Sequence, residues 1–331
     1  MLLRRSLQEM NKASLEQWLQ RIETIHPEEV ELGLERVSSV AERLGLLPVL
    51  QPVVTVAGTN GKGSVVAVLE ALLSEAGFST GAFTSPHFLR FNERIRVAGV
   101  EVSDTEIIDA FVAIDEARGA VALTYFEFST LAALVVFKTR NPDILILEVG
   151  LGGRLDAVNM VDPSVAVITS IDLDHQAWLG ESRGKIACEK AGIMRKSVPV
   201  VIADPDPPPE LVRRVIGIGA SPALYIGKEF SVTSDQNEWW AVLRDAGGVS
   251  RHLERHSCGS LLPENIGAAL QAALLLGVKF SDDCLSRALP KATPVGRRQV
   301  RQTGGRNYVL DVAHSCQKIF ALRYRQHYCW G

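Results

Sequence analysis

No apolar run in the 331-residue chain approaches the ~20 residues needed to cross a bilayer. The cleanest stretch, residues 131–137, is far shorter. The N-terminus, Met1-Leu-Leu-Arg-Arg-Ser6, reaches Gln8 and Glu9 without an apolar segment, so no signal peptide is expected. Cysteine is scarce. Cys188, Cys258, Cys284, Cys316 and Cys329 are odd in number and lack CxxC spacing. That argues against a disulfide framework or a thiolate zinc site and points to a reducing cytoplasm. A surplus of one charge is missing too: 35 Lys+Arg face 38 Asp+Glu, a net −3. A dedicated nucleic-acid binder would carry a strongly basic face; a small basic pocket for a phosphate remains compatible with this balance.

What is present is core-forming material. At 47% hydrophobic and 22% charged, the composition excludes global disorder. The length suggests two domains at ~150 residues each. Ser14-Leu-Glu-Gln17 has the form of a capping box, followed by Leu15, Trp18, Leu19 and Ile22 on one helical face. A second helix is expected over 35–46. Strands are then expected at 53–57, 80–84, 143–149, 165–170, 198–203 and 308–312. Helices are expected at 62–76, 104–117, 126–139, 183–191, 263–276 and 281–289. Apolar strands alternating with helices predict an α/β fold with a mostly parallel, doubly wound sheet covered on both faces. Residues 238–250 read as a hairpin turning at Gly247-Gly248, an edge decoration. A Pro/Gly/Arg-rich hinge near 293–298 divides the chain into 1–295 and 296–331. The second piece is shorter than the ~50 residues of a normal domain.

The strongest local signal is Val53-Val-Thr-Val-Ala-Gly58-Thr-Asn-Gly61-Lys62-Gly63-Ser64, a buried strand passing through a glycine-rich turn into a helix. Glycines let backbone N–H groups approach phosphate oxygens, the helix start adds positive dipole, and Lys62 would neutralise β/γ-phosphates. Val56 and Gly63 depart from the strict P-loop spacing, so the loop is a variant. A triphosphate calls for magnesium and hard oxygen ligands. Glu148 closes the run Asp143-Ile-Leu-Ile-Leu-Glu148 at the carboxyl end of a strand, where ligands of parallel sheets bind. Ser85 and His175 follow two other strands and could converge on the same metal, or be a turn residue and a surface histidine. Lys190, in Cys188-Glu-Lys190-Ala-Gly-Ile, reads from its residues alone as a solvated helix lysine. His252 and His256 have a metal-ligand spacing without a third ligand and read as exposed.

Five blocks occur in order: Thr-Val-Ala-Gly-Thr-Asn-Gly-Lys-Gly-Ser, Thr-Ser-Pro-His-Phe-Leu-Arg-Phe-Asn-Glu-Arg, Leu-Thr-Tyr-Phe-Glu-Phe, Leu-Glu-Val-Gly-Leu-Gly-Gly-Arg-Leu-Asp-Ala-Val-Asn and Glu-Lys-Ala-Gly-Ile. From about Leu15 to His314 the chain resembles the bacterial dihydrofolate synthase/folylpolyglutamate synthase branch of the Mur ligase family. The resemblance implies that Thr59, Asn60, Gly61 and Lys62 hold ATP phosphates, with Ser85, Glu148 and His175 around magnesium. It implies that Lys190 is carboxylated by CO2, its carbamate helping to hold a second magnesium. Thr124, Tyr125, Phe126 and Glu127, with Leu155, Asp156 and Ala157, match positions contacting the pterin substrate; Asn265, Arg297 and Asp311 match contacts to ATP. The implied reaction phosphorylates the carboxylate of dihydropteroate or of a folate's terminal glutamate. The amine of L-glutamate then attacks the acyl phosphate, with Lys62, His175 and Lys190 as the catalytic set. A cytoplasmic monomer acting on small molecules, without nucleic-acid or membrane partners, is expected.

The family pattern Asp-x-Ala-His-Asn-Pro reads here as Asp311-Val-Ala-His314-Ser315-Cys316, and no family motif follows. The expectation is a truncation or frameshift near codon 315, with weak or absent ligase turnover and largely intact pterin and phosphate pockets. Two other classes stay open: a non-catalytic nucleotide- or folate-binding remnant, and a P-loop NTPase that ignores pterin.

Overall fold

A computed structural model describes residues 13–26, 30–235, 238–257, 259 and 261–293, and the backbone of 299–303 and 306–310. Its centre is an eight-stranded sheet ordered β4-β3-β2-β5-β1-β6-β7-β8. The strands are β1 (Val53–Ala57), β2 (Thr80–Phe83), β3 (Ile95–Val97), β4 (Val100–Glu101), β5 (Ile144–Glu148), β6 (Val165–Ile168), β7 (Val200–Ile202) and β8 (Ala223–Tyr225). β2, β5, β1, β6, β7 and β8 run parallel; only β3 and β4 pair antiparallel, at one edge. β1, β2, β5, β6 and β7 are buried throughout, as strands covered on both faces must be, while β8 at the edge is only partly buried.

Alternate residues of the parallel strands feed two separate cores. Val53, Ala57, Leu145, Leu147, Ala166 and Ile168 point to one face. There they meet α1 (Leu15–Ile22), α2 (Glu35–Arg43), α4 (Asp104–Arg118), α5 (Tyr125–Arg140), α7 (Arg183–Lys190) and α8 (Pro209–Ile218). The short helix α6 (Gln176–Leu179) adds Leu179 to that face. Val54, Val56, Ile144, Ile146, Val165 and Val167 point to the other, against α3 (Lys62–Glu75), α9 (Pro263–Leu275) and α10 (Asp282–Ala288). The capping box expected at Ser14 forms with Gln17, and Trp18 is fully buried.

Several expectations are corrected. The 238–250 hairpin is not an edge decoration of the main sheet. Its strands β10 (Glu238–Arg244) and β11 (Ser250–His252) join β9 (Ser231–Ser234) and β12 (His256–Ser257) in a separate antiparallel sheet. Trp239, Ala241 and Leu243 alternate into the second core, because a sheet laid over α9 buries one face. His256, expected to be exposed, is buried: its ring stacks on Trp239 at 5.3 Å and Nε2 lies 3.0 Å from Asp282 Oδ1. The strand expected at 308–312 is β14 (Arg306–Leu310), paired antiparallel with an unforeseen β13 (Gln299–Thr303).

Candidate active site

Thr59 and Asn60 lie in the turn between β1 and α3, which is clamped to the end of β6. Thr59 N–H donates to Ser170 O at 2.8 Å, and Thr169 Oγ1 donates to Asn60 O at 2.7 Å. Thr59 Oγ1 accepts from Asp172 N–H at 3.0 Å. Gly58, at φ +152° with Thr169 against it, and Gly61, at φ +93°, are the positions in the turn where a side chain is doubly excluded. At Gly61 the backbone is left-handed and the second obstacle belongs to another helix: a Cβ would collide with the Asn265 amide at the start of α9. Asn265 therefore borders the phosphate turn. Lys62 opens α3 and curls back, its Nζ donating to Gly58 O at 3.0 Å and Thr59 O at 3.3 Å. The ammonium is held over the loop by weak acceptors that a phosphate could replace.

Glu148 ends β5 beside β1, its side chain 1% exposed, and Oε2 accepts the Ser85 N–H at 3.2 Å. His175 caps the short helix α6 with left-handed backbone, its Nε2 3.6 Å from Asp174 Oδ2. Lys190 is not the solvated lysine that its local sequence suggests. It is 4% exposed, and burial, reinforced by the charge of Lys62, brings its pKa down to about 7 despite Asp174 and Asp156. Asp156 is equally enclosed. Burial pushes its carboxyl up to about 6, against the N–H groups of Leu151 (2.8 Å) and Val158 (3.0 Å).

A cavity of about 360 Å³ unites most of these groups. Gly58, Lys62, Ser85, His175 and Lys190 line it together with Thr124, Phe126, Glu127, Leu155, Asp156 and Ala157. Thr124 and Glu127 also form the capping box of α5: Glu127 Oε2 accepts the Thr124 N–H at 2.7 Å, and Glu127 Oε1 pairs with Arg36 at 3.2 Å. Gly150 allows the Phe126 ring to press on the backbone after β5; a Cβ there would lie 2.6 Å from it. Glu148 faces an adjoining cleft, which also takes in Gly63, Thr84 and Arg96 and shares Ser85 and Pro86 with the first. Tyr125 is absent from the cavity lining; its ring lies beneath Arg94. Arg297 and Asp311 lie outside the described residues.

The sequence reading missed Arg94, Asp174, Trp178 and the 30–33 segment, all of which line the cavity. Arg94 was in plain view within the Phe91-Asn-Glu-Arg94 block, but nothing in the sequence marks it as buried. Among the described residues no three His, Cys, Asp or Glu side chains gather as a ready-made metal cage. The donor set instead fits a hard dication that takes one carboxylate, with the remaining oxygens from water and phosphate.

Comparison with known proteins identifies the family. The profile of the Mur ligase middle domain matches residues 56–233. The dihydrofolate synthase/folylpolyglutamate synthase of Escherichia coli K12 is 41% identical over 302 residues, covering 91% of this chain and 70% of that protein. Its Haemophilus influenzae counterpart is 40% identical, covering 90% and 66%. The structure of E. coli FolC in complex with DHPP and ADP superposes with a TM-score of 0.86 at 40% identity, covering 92% of this chain and 72% of that one. The Yersinia pestis enzyme complexed with AMPPNP and Mn gives 0.81 at 42%, with the same coverage.

The fold and the glycine turn define a Mur ligase, a class of ATP-dependent ligases. Within that class, the chain belongs to the dihydrofolate synthase/folylpolyglutamate synthase family.

Proposed function

We propose that this chain uses ATP to join L-glutamate to dihydropteroate, and to the terminal glutamate of folates, through an acyl phosphate. The observation that carries the reading is the single cavity in which a phosphate-type turn (Gly58 to Lys62) meets an aromatic and acidic wall (Phe126, Asp156). A carboxylate and a nucleotide phosphate bound there would share one cavity, the proximity that phosphoryl transfer between them needs.

The residues divide the work. The backbone of Thr59 to Gly61 and the start of α3 receive phosphate oxygens. Lys62 exchanges its loop carbonyls for the β/γ-phosphates and moves positive charge onto the group being transferred. Asn265, against Gly61, borders the nucleotide; Arg297 and Asp311 belong to the same nucleotide set by resemblance. Ser85, Glu148 and His175 would hold one magnesium and Lys190, as a carbamate, a second; when bound, magnesium neutralises charge on the phosphoryl oxygens. Lys190 suits carbamate formation, since an amine with a pKa near 7 is substantially neutral at physiological pH and can attack CO2. Thr124, Phe126, Glu127, Leu155, Asp156 and Ala157 receive the pterin; Tyr125 acts from behind that wall. Phosphorylation makes the carboxylate electrophilic enough for the glutamate amine. A cytoplasmic monomer belongs to the same proposal. Among the described residues no helix is long and apolar enough to cross a membrane.

The test is ADP release measured with neither, either or both of dihydropteroate and L-glutamate. Release that needs both supports the ligase. Release indifferent to pterin would make the chain an NTPase. Tight pterin or nucleotide binding with no release in any mixture would make it a binding remnant.

A further inference from the structure

Arg94 is the buried cation that the reading above leaves without a task. It is 8% exposed, at the C-terminal end of a 3-10 turn (Phe91–Arg94), and it lines the same cavity as Lys62, Phe126 and Lys190. Other buried or half-buried arginines have carboxylate partners: Arg36 with Glu127, Arg96 with Glu70, Arg118 with Asp115. Arg94 makes no ion pair among the described residues. Its single side-chain hydrogen bond runs from Nε to His87 Nδ1 at 2.7 Å.

The direct contacts orient this guanidinium rather than neutralise it; Tyr125, Glu148 and Glu93 favour its charge only through space, and burial outweighs them, so its pKa is lowered. The bond from Nε requires a lone pair on His87 Nδ1, so that ring is neutral, in keeping with burial and Arg94 both lowering its pKa. The guanidinium lies 5.8 Å from the centroid of Phe91 and 5.6 Å from that of Tyr125, and burial keeps the Tyr125 phenol protonated. The nearest acids are engaged elsewhere. Glu93 accepts the N–H groups of Phe88, Leu89 and Arg90 at 2.8, 2.7 and 2.8 Å, and Glu148 accepts that of Ser85. A buried, unneutralised cation is costly to a fold. Here it is locked by a histidine and two rings, while both terminal NH2 groups are left for something that enters the cavity.

We infer that Arg94 is the binding group for the carboxylate of the pterin acceptor, taking one or both carboxylate oxygens on its two terminal NH2 groups. The planar fork of arginine matches a planar carboxylate in a way that the point charge of Lys62 does not. Held on that fork, the carboxylate stays ionised and therefore nucleophilic, beside the turn that receives the phosphate. The inference rests on the proposed function and assigns that site the group which recognises the reacting end of its acceptor.

The test compares two probes by titration calorimetry on the intact chain: dihydropteroate, and the same pterin with hydrogen in place of the carboxylate. Wild-type protein is expected to prefer dihydropteroate. Arg94→Gln should weaken dihydropteroate binding ten- to a hundred-fold, the ~1.5–3 kcal/mol of a charge-assisted contact, and leave the descarboxy probe unchanged. Arg94→Lys, which keeps the charge but loses the fork, should fall between. Equal losses for both probes would reduce Arg94 to a scaffold residue and overturn the inference. So would an unaltered preference in Arg94→Gln, or a loss confined to Mg–AMPPNP affinity. A wild-type chain that binds neither pterin would instead count against the proposed function, and this inference would fall with it.

Discussion

Val56 and Glu148 are direct partners in adjacent parallel strands, so the carboxylate leaves the sheet level with the approach to the Gly58 turn. The register, not the loop, decides that placement: a slip of one residue in β5 would turn Glu148 to the opposite face. Glu148→Gln keeps the shape and an acceptor for Ser85 N–H while removing the charge. It is expected to lower Mn-dependent AMPPNP affinity at least ten-fold and to leave metal-free nucleotide binding nearly unchanged. Calorimetry with and without Mn distinguishes the two. Unaltered metal dependence would remove Glu148 from the metal site.

Gly61 and Asn265 make a second testable pair. Gly61→Ala forces a side chain into a left-handed backbone and against the Asn265 amide. The expected cost is ~1–3 kcal/mol, with nucleotide binding lost alongside. Adding Asn265→Ala relieves the collision but not the backbone strain, so stability should recover only in part. Denaturant unfolding of the single and double variants reads this directly. Full recovery would show that the left-handed conformation costs nothing.

The glycine turn, the flanking strand and helix, and the carboxylate at the end of β5 were legible because each rests on local chemistry: glycine before a lysine, then a helix; an acid closing an apolar run. Lys190 was not. The sequence of α7, Arg183-Gly-Lys-Ile-Ala-Cys-Glu-Lys, reads as a polar surface helix, and only tertiary approach encloses its end. The loop at Gly153 packs so closely that a Cβ there would lie 3.0 Å from Lys190 Cα. Arg94 was hidden for the same reason, since its burial without a direct carboxylate partner among the described residues is a property of the packed cavity. The separate sheet of β9 to β12 escaped because its strands are short and its pairing is nonlocal, whereas the parallel sheet announces itself through repeated strand–helix alternation.

The pKa of Lys190, near 7, sets a pH dependence with a definite sign. Carbamate formation consumes the neutral amine. At pH 6 about a tenth of the lysine is neutral, and at pH 8 about nine-tenths. With 13C-bicarbonate supplied, a protein-bound carbamate carbon signal is expected to grow as pH rises through 7 and to vanish in Lys190→Met. An exposed lysine would show the rise near its ordinary value of 10.5 instead. A signal that persists in Lys190→Met would belong to another amine.

Trp239 and Trp240 are sequence neighbours on opposite faces of β10, and they test whether the second sheet is a core element. Trp239 is fully buried against the residues of α9, while Trp240 is half-buried with the Arg255 guanidinium 4.0 Å from its ring centroid. Trp239→Ala should cost ~3–5 kcal/mol, as for a large buried aromatic. Trp240→Ala should cost about 1 kcal/mol, the scale of an exposed cation–π contact with some lost packing. The mechanism predicts more than a difference in stability. α9 carries Asn265 to the phosphate turn, so loosening the sheet beneath it should weaken AMPPNP binding in Trp239→Ala even at temperatures where the variant remains folded. Chemical unfolding paired with nucleotide titration of both variants checks this. Equal costs for the two tryptophans would mean that the sheet contributes no core of its own, and unaltered nucleotide affinity in a folded Trp239→Ala would separate it from the site.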